Sequence, residues 1–227
     1  MRRLIGVNSW VWTSPLQDAE LEPLLRKIAG MGFDSVELPV ESPGDWDPVR
    51  AKELLDELSL LPIVVGAMGP GRSLLARAGD VEATQAYLRH CLAVAAIVGS
   101  PVVAGPFYAP TGTTWRMSAE ERVDATAELR ASLAPLVAEA ATAGLALAIE
   151  PLNRYETSVI NTVEQGMAAL EPLLGPGLGL ALDSYHLNIE EQRPNDAIRA
   201  AGAAIAYVQV CGNDRGAVGE QVAELAV

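Results

Sequence analysis

Leu145-Ala-Leu-Ala-Ile-Glu150, Leu178-Gly-Leu-Ala-Leu-Asp183 and Ala206-Tyr-Val-Gln209 decide the fold. Each is a short apolar run that stops at a residue carrying a side-chain oxygen. Runs of this length, bounded by glycine and polar residues, read as buried strands. A charge at the tip of such a run is costly to bury without a partner. If the strands lie parallel in one sheet, the three tips gather at one end, where α/β barrels place their chemistry. Glu150, Asp183 and Gln209 would then offer an oxygen donor set, which suits Mg2+ or Mn2+ better than Zn2+. A carboxylate at a strand end can also be a helix cap or an ion-pair partner. Three such tips on successive strands favour a metal site.

Working outward, the hydrophobic period switches repeatedly between strand and helix. Strands are expected at Leu4–Trp10, Asp34–Pro39, Pro62–Met68, Pro101–Gly105, Leu145–Glu150, Gly179–Asp183 and Ala204–Cys211. Helices are expected at Asp18–Met31, Pro48–Leu60, Val81–Val98, from Ser118 to about Thr142, Thr162–Leu174 and Glu190–Ala201. Gly32 and Gly99 suit the positions just after a helix. Ser118-Ala-Glu-Glu121 has the form of a capping box. Pro135 lacks an amide donor and should kink its helix. Strands alternating with helices indicate βαβ units and a parallel sheet.

The fold class expected is therefore α/β, a (β/α)8 TIM-barrel type. A dinucleotide-binding sheet is disfavoured, because Ser9-Trp-Val-Trp-Thr-Ser stands where a glycine-rich turn should follow the first strand. Gly66-Ala-Met-Gly-Pro-Gly71 reads as a tight loop, since Pro70 removes a donor and no helix follows at once. Seven strands are legible, one short of a closed barrel. Gln221–Val227 looks more like a helical turn than a strand. The expectation is one domain, 1–227, incomplete at its C-terminal end, with an open seam between the first and seventh strands.

Composition removes several function classes. The chain has 227 residues, half of them hydrophobic, which suits one domain with a full core and argues against disorder. Its net charge of -13 repels phosphate backbones and anionic lipids, so nucleic acid and membrane are poor partners. No run reaches transmembrane length, and the N-terminal apolar stretch is broken by Asn8 and Ser9 before it could serve as a signal. Cys91 and Cys211 lack metal-type spacing and read as reduced thiols, which points to the cytoplasm. With two histidines and no nucleophile elbow, a serine triad is not legible.

Longer motifs carry a resemblance. Glu150-Pro-Leu-Asn-Arg-Tyr-Glu156, Leu182-Asp-Ser-Tyr-His-Leu-Asn-Ile-Glu-Glu191 and Asn213-Asp-Arg-Gly216 together resemble the xylose-isomerase-like barrels, especially the tagatose/psicose 3-epimerase branch. Gly66–Arg72 and Gly105-Pro-Phe-Tyr108 extend the likeness over nearly the whole chain. The resemblance implies one divalent metal ion (Mn2+, Mg2+ or Co2+) on Glu150 and Asp183, with Glu150 also a catalytic acid/base. It implies that Glu156, His186 and Arg215 bind a small sugar, with Glu37 and Trp115 near its pocket. The epimerases usually carry histidine where this chain has Gln209. The related hydroxypyruvate isomerases use glutamine there as a metal ligand. The family's fourth ligand, a glutamate that is also the second acid/base, lies on a last strand beyond the Asn213–Gly216 stretch. Glu220 and Glu224 are too close to Arg215 to match it. The resemblance also implies a homodimer or homotetramer.

The expected chemistry is ketose isomerisation or epimerisation next to a carbonyl through an enediolate whose charge the cation stabilises. Epimerisation asks for an acid/base on each face. Aldose–ketose isomerisation can shuttle its proton with one, so hydroxypyruvate-isomerase-like chemistry is an alternative, as is a non-catalytic sugar-binding relative. A relative of the metal-dependent abasic-site endonucleases is disfavoured by the two histidines and the acidic charge. Trp10 and Trp12, with Trp115, could wall a sugar pocket or simply pack the core. His90 sits among apolar helical neighbours and reads as structural.

Overall fold

The computed structural model describes residues 4–218. Seven strands are β1 (Gly6–Asn8), β2 (Ser35–Pro39), β3 (Leu61–Val65), β4 (Val102–Gly105), β5 (Ala146–Ile149), β6 (Leu178–Asp183) and β7 (Ile205–Gln209). They form one sheet in the order of the sequence, and every adjacent pair is parallel. The helices between them are α1 (Asp18–Gly30), α2 (Pro48–Leu58), α3 (Val81–Val98), α4 (Ala119–Thr142), α5 (Val163–Leu170), α6 (Ser184–Glu190) and α7 (Pro194–Ala201). This is a TIM-barrel-like fold with β1 and β7 as unpaired margins among the described residues. Leu4, Ile5, Val208 and Val210 are exposed along those margins.

The inner strands β2 to β6 are largely buried on both faces, which is why they read as nearly continuous apolar runs. Val36, Leu38, Val64, Val103, Leu147, Ile149, Leu180 and Leu182 pack outward against the helices as one core. The alternate positions face the bore. There Val65, Val102, Ala104, Ala148 and Ala181 form a second small cluster with Trp10, Ile63 and Tyr207. Small residues on this face leave room at the carboxyl ends of the strands.

Local chemistry sets the element ends. Asp47, Asp80, Ser118 and Thr162 cap α2 to α5 through side-chain oxygens, and Ser118 with Glu121 closes a full capping box. Gly99 takes the left-handed conformation after α3, and Gly32 does so one residue beyond the cap of α1.

Three expectations need correction. β1 stops at Asn8, whose side chain accepts from the Trp10 N–H and starts a 3₁₀ turn over Ser9–Val11. The helix expected at Glu190–Ala201 starts later, as α7 at Pro194, where a missing N–H costs nothing, and an unexpected helix, α6, capped by Asp183, precedes it and ends at Glu190. The helix after Thr162 ends at Leu170, and Pro172 follows inside a 3₁₀ turn. Pro135 lies inside the unbroken span of α4. Gln221–Val227, Glu220 and Glu224 lie outside the described residues.

Candidate active site

The carboxyl ends of the strands open on a cavity of about 270 Å³. Glu150, Asp183 and Gln209 all border it, as do Glu156, His186 and Arg215. Its apolar walls include Trp10, Val65 and Leu152, while Gly66 and Gly105 leave space. A Cβ on Gly105 would sit 2.3 Å from the Gly66 carbonyl oxygen, so the backbones of β3 and β4 meet there without side chains between them.

Topology explains the convergence. Glu150 follows the last residue of β5, and Asp183 ends β6 in register with Gln209 at the end of β7. Paired residues of parallel strands project to the same face, so Asp183 and Gln209 stand side by side in the bore. The two oxygens of Asp183 have separate tasks. Oδ1 accepts from the Tyr185 N–H at 2.9 Å and caps α6. Oδ2 faces the cavity, 3.2 Å from Arg215 Nη1 and 3.9 Å from His186 Nε2.

His186 is buried, and its Nδ1 accepts from the Asn153 N–H at 3.0 Å. The Asn153 amide is oriented by the Tyr155 N–H on its oxygen, so its Nδ2 donates to Glu156 and also faces Nδ1. Burial, then the Arg215 charge, pushes the imidazole pKa down to about 3. The ring is therefore neutral with its proton on Nε2, 3.5 Å from Glu150 Oε1. Glu150, Asp183 and His186 place one donor atom each within 4.8 Å of one another. With its proton on Nε2, His186 serves that cluster as a hydrogen-bond donor rather than as a ligand.

Glu150 is deeply set, its side chain only 12 % exposed. Burial raises its pKa well above the usual value, and the neighbouring charges of Asp183 and Glu37 add to the effect. Burial also raises Asp183. Packing these carboxyls together with Arg215 as the nearby cation leaves negative charge undercompensated. Hard oxygens so arranged, with the Gln209 amide beside them, fit a divalent cation.

Arg215 lies in a turn closed by its own N–H to Gly212 O, in the left-handed region at φ 65°. Its guanidinium stacks on Tyr185 at 3.9 Å and reaches Glu156 Oε1 at 3.5 Å. Glu37 and Trp115 do not border the cavity. The Glu37 carboxylate lies behind it, accepting from Asn8 Nδ2, Tyr207 Oη and Gln209 Nε2. Burial raises its pKa too. Trp115 packs against the core, with Arg77 over its ring at 5.3 Å. Trp12 likewise carries Lys27 over its face, leaving Trp10 as the tryptophan at the cavity.

Sequence reading missed Asn8, Tyr108, Asn153 and Tyr207. Tyr108 is fully buried and donates to the Glu150 carbonyl at 2.9 Å, anchoring the turn that carries the acid. Asn153 stands inside the Glu150–Glu156 motif, in the loop after β5, and Asn8 is legible as the polar residue ending an otherwise apolar strand.

No helix among the described residues is long and apolar enough to cross a membrane. L-ribulose 3-epimerase of Mesorhizobium japonicum is 32% identical over 216 residues, covering 95% of this chain and 72% of that protein. A solved L-ribulose 3-epimerase superposes with a TM-score of 0.87 at 28% identity, over 97% of this chain and 74% of the other. A D-allulose 3-epimerase from Methylomonas sp., solved in complex with D-allulose, gives 0.83 at 27% identity, over 98% and 77%. These relatives are sugar epimerases. Residues 25–221 match the profile of one family, and the chain belongs to it: the xylose isomerase-like TIM barrels.

Proposed function

We propose that this chain is a metal-dependent ketose epimerase in which Glu150 moves the proton. The observation that carries the reading is the meeting of Glu150, Asp183 and Gln209 at the ends of β5, β6 and β7, around a cavity also bordered by His186 and Arg215. Glu150, Asp183 and Gln209 would hold one Mn2+, Mg2+ or Co2+. Bound there, the cation would supply electrostatic stabilisation of negative charge developing on sugar oxygens.

The chain's own residues do the rest. Glu150, whose burial raises its pKa and so favours its taking up a proton, stands where it can exchange one with a carbon beside the sugar carbonyl. The Nε2–H of His186 is fixed by the backbone donor on Nδ1 and is aimed at the same place. Arg215 and Glu156, paired at 3.5 Å, offer a donor and an acceptor to hydroxyl groups. Trp10 and Leu152 give the sugar apolar contact and exclude water. Cys91 is buried and both cysteines are free, in keeping with the cytosolic location we assign. A homodimer or homotetramer belongs to the same proposal, as does 1–227 as a single domain incomplete at its C-terminal end.

One observation favours a second reading. Among the described residues, the other cavity carboxylates are engaged: Asp183 by Tyr185 N–H and Arg215, Glu156 by Asn153 and Arg215. Glu150 meets the neutral His186 Nε2 at 3.5 Å and lies outside these arginine pairs; one such carboxyl suits an aldose–ketose isomerase that works on one face. Incubation of ketoses in D2O with each metal separates the two. Deuterium at C3 with epimer formation is the expected result, and an aldose labelled at C2 selects the second reading. No exchange with any of the metals, with Mn2+ binding the same in native protein and in Glu150→Gln/Asp183→Asn, removes both and leaves a non-catalytic relative.

A further inference from the structure

Gln209 offers an oxygen and an NH2 group, and only the oxygen can bind a cation. Nothing in β7 itself decides which end faces the cavity. The decision is traceable through three hydrogen bonds to a main-chain group on the other side of the bore. The Trp10 N–H can only donate, and it donates to Asn8 Oδ1 at 2.8 Å. That fixes the Asn8 amide, so its Nδ2 must face Glu37 Oε2, at 2.6 Å. With the Tyr207 hydroxyl donating to its Oε1 as well, Glu37 serves as an acceptor-only carboxylate, and Oε2 has no proton to give. It is the same oxygen that meets the Gln209 amide, at 2.8 Å, so Gln209 has to present its NH2 there. Its carbonyl oxygen is left for the cavity side that Gln209 borders and Glu37 does not. The remaining oxygen of Glu37 is taken by the Tyr207 hydroxyl at 2.7 Å.

We propose that Asn8 and Glu37 are positioning residues that lock the Gln209 amide with its oxygen toward the metal site. The inference rests on the metal-binding reading given above and deepens it. A neutral ligand that can flip needs such a device, and Asn8 and Glu37 stand in register on β1 and β2 to form it. Groups behind a metal ligand commonly govern its orientation and the metal affinity.

Two substitutions separate orientation from mere bulk or charge. Glu37→Gln keeps the lock: its amide oxygen takes the place of Oε2, and its NH2 donates to the Tyr207 hydroxyl. Glu37→Met has similar volume and no polar group. Mn2+ affinity is read on metal-free protein by electron paramagnetic resonance of the free ion, with circular dichroism reporting the fold. Glu37→Met should bind Mn2+ about 10- to 100-fold more weakly, and Glu37→Gln should stay within about threefold of native. Native-like binding by Glu37→Met overturns the proposal. So does an equal loss in both variants, since charge rather than orientation would then be at work.

Should Glu37→Met not fold, native protein decides the matter by NMR, with the Gln209 side-chain amide assigned by its absence in Gln209→Glu. Slowly exchanging Nε2 protons, together with a Cδ resonance that moves on Mg2+ addition, support the lock. Rapid exchange, or a Cδ that ignores Mg2+, overturns it. Native protein that binds no Mn2+ defeats the proposed function itself, whereas binding that Glu37→Met leaves intact defeats only the lock.

Discussion

The two halves of the sheet differ at their carboxyl ends. β3 and β4 run out into Gly66 and end at Gly105, where backbones nearly touch. β5, β6 and β7 run out into or end at Glu150, Asp183 and Gln209. One half supplies space and the other supplies reactive groups, although strands of both halves pack outward into the same core. Function is thus concentrated in the residue at or just after the end of each strand, while the strand bodies are interchangeable barrel staves.

Removing the proton-transfer group should break this division most sharply. Glu150→Gln is expected to lower the rate of ketose conversion by roughly 10³-fold in the presence of Mn2+, read by chromatographic product analysis. A variant that kept native turnover would show that the chemistry lies elsewhere. The spacious half is probed by Gly105→Ala. The added methyl meets the Gly66 carbonyl and the Phe107 ring, so urea unfolding should show a loss of about 1–3 kcal/mol. Unchanged stability there would mean that the glycines are not needed for close approach.

The next expectation concerns pH, in metal-free protein. Glu150 has its folded pKa raised above the unfolded value of 4.5. Its contribution to stability is therefore full below that unfolded value, and it fades as pH rises through the folded pKa. Glu150→Gln has no such group. The two proteins should melt at similar temperatures near pH 4, and the variant should be the more stable at pH 8. A native protein that gained on the variant with rising pH would contradict the burial assigned to this carboxyl. The smallest effect is expected where neither half is touched. Ser118→Ala removes the cap of α4, between β4 and β5, and should cost about 1 kcal/mol in urea unfolding with turnover unaltered.

The sequence was informative where one physical cause dominates. Apolar runs with a period change mark strands against helices, so all seven strands are found, with errors confined to their ends. The oxygen-bearing tips are legible because a charge beside five apolar residues has few explanations. Asn8, by contrast, looks like an interruption until the Trp10 N–H is seen on its side chain. Glu37 and Tyr207 are 170 positions apart, and no periodicity links them; only curling the sheet brings β2 opposite β7. The helix Ser184–Glu190 was missed because its cap, Asp183, is also the oxygen-bearing tip of β6 and was read only in that role. The tautomer of His186 rests on a main-chain donor from Asn153, which side-chain identities do not reveal.

Asp183 joins a strand to a helix and splits its two oxygens between them. The oxygen that caps α6 is committed to architecture, so the carboxylate is aimed before anything enters the cavity and has only one oxygen to give. An asparagine at this position could keep the cap with its oxygen, and would then point its NH2 inward. Replacing one atom would leave the joint standing while turning an attraction for cations into a repulsion. The same linkage ties evolution of the site to evolution of the scaffold: a lengthened side chain would reach further inward but would abandon the first turn of the helix.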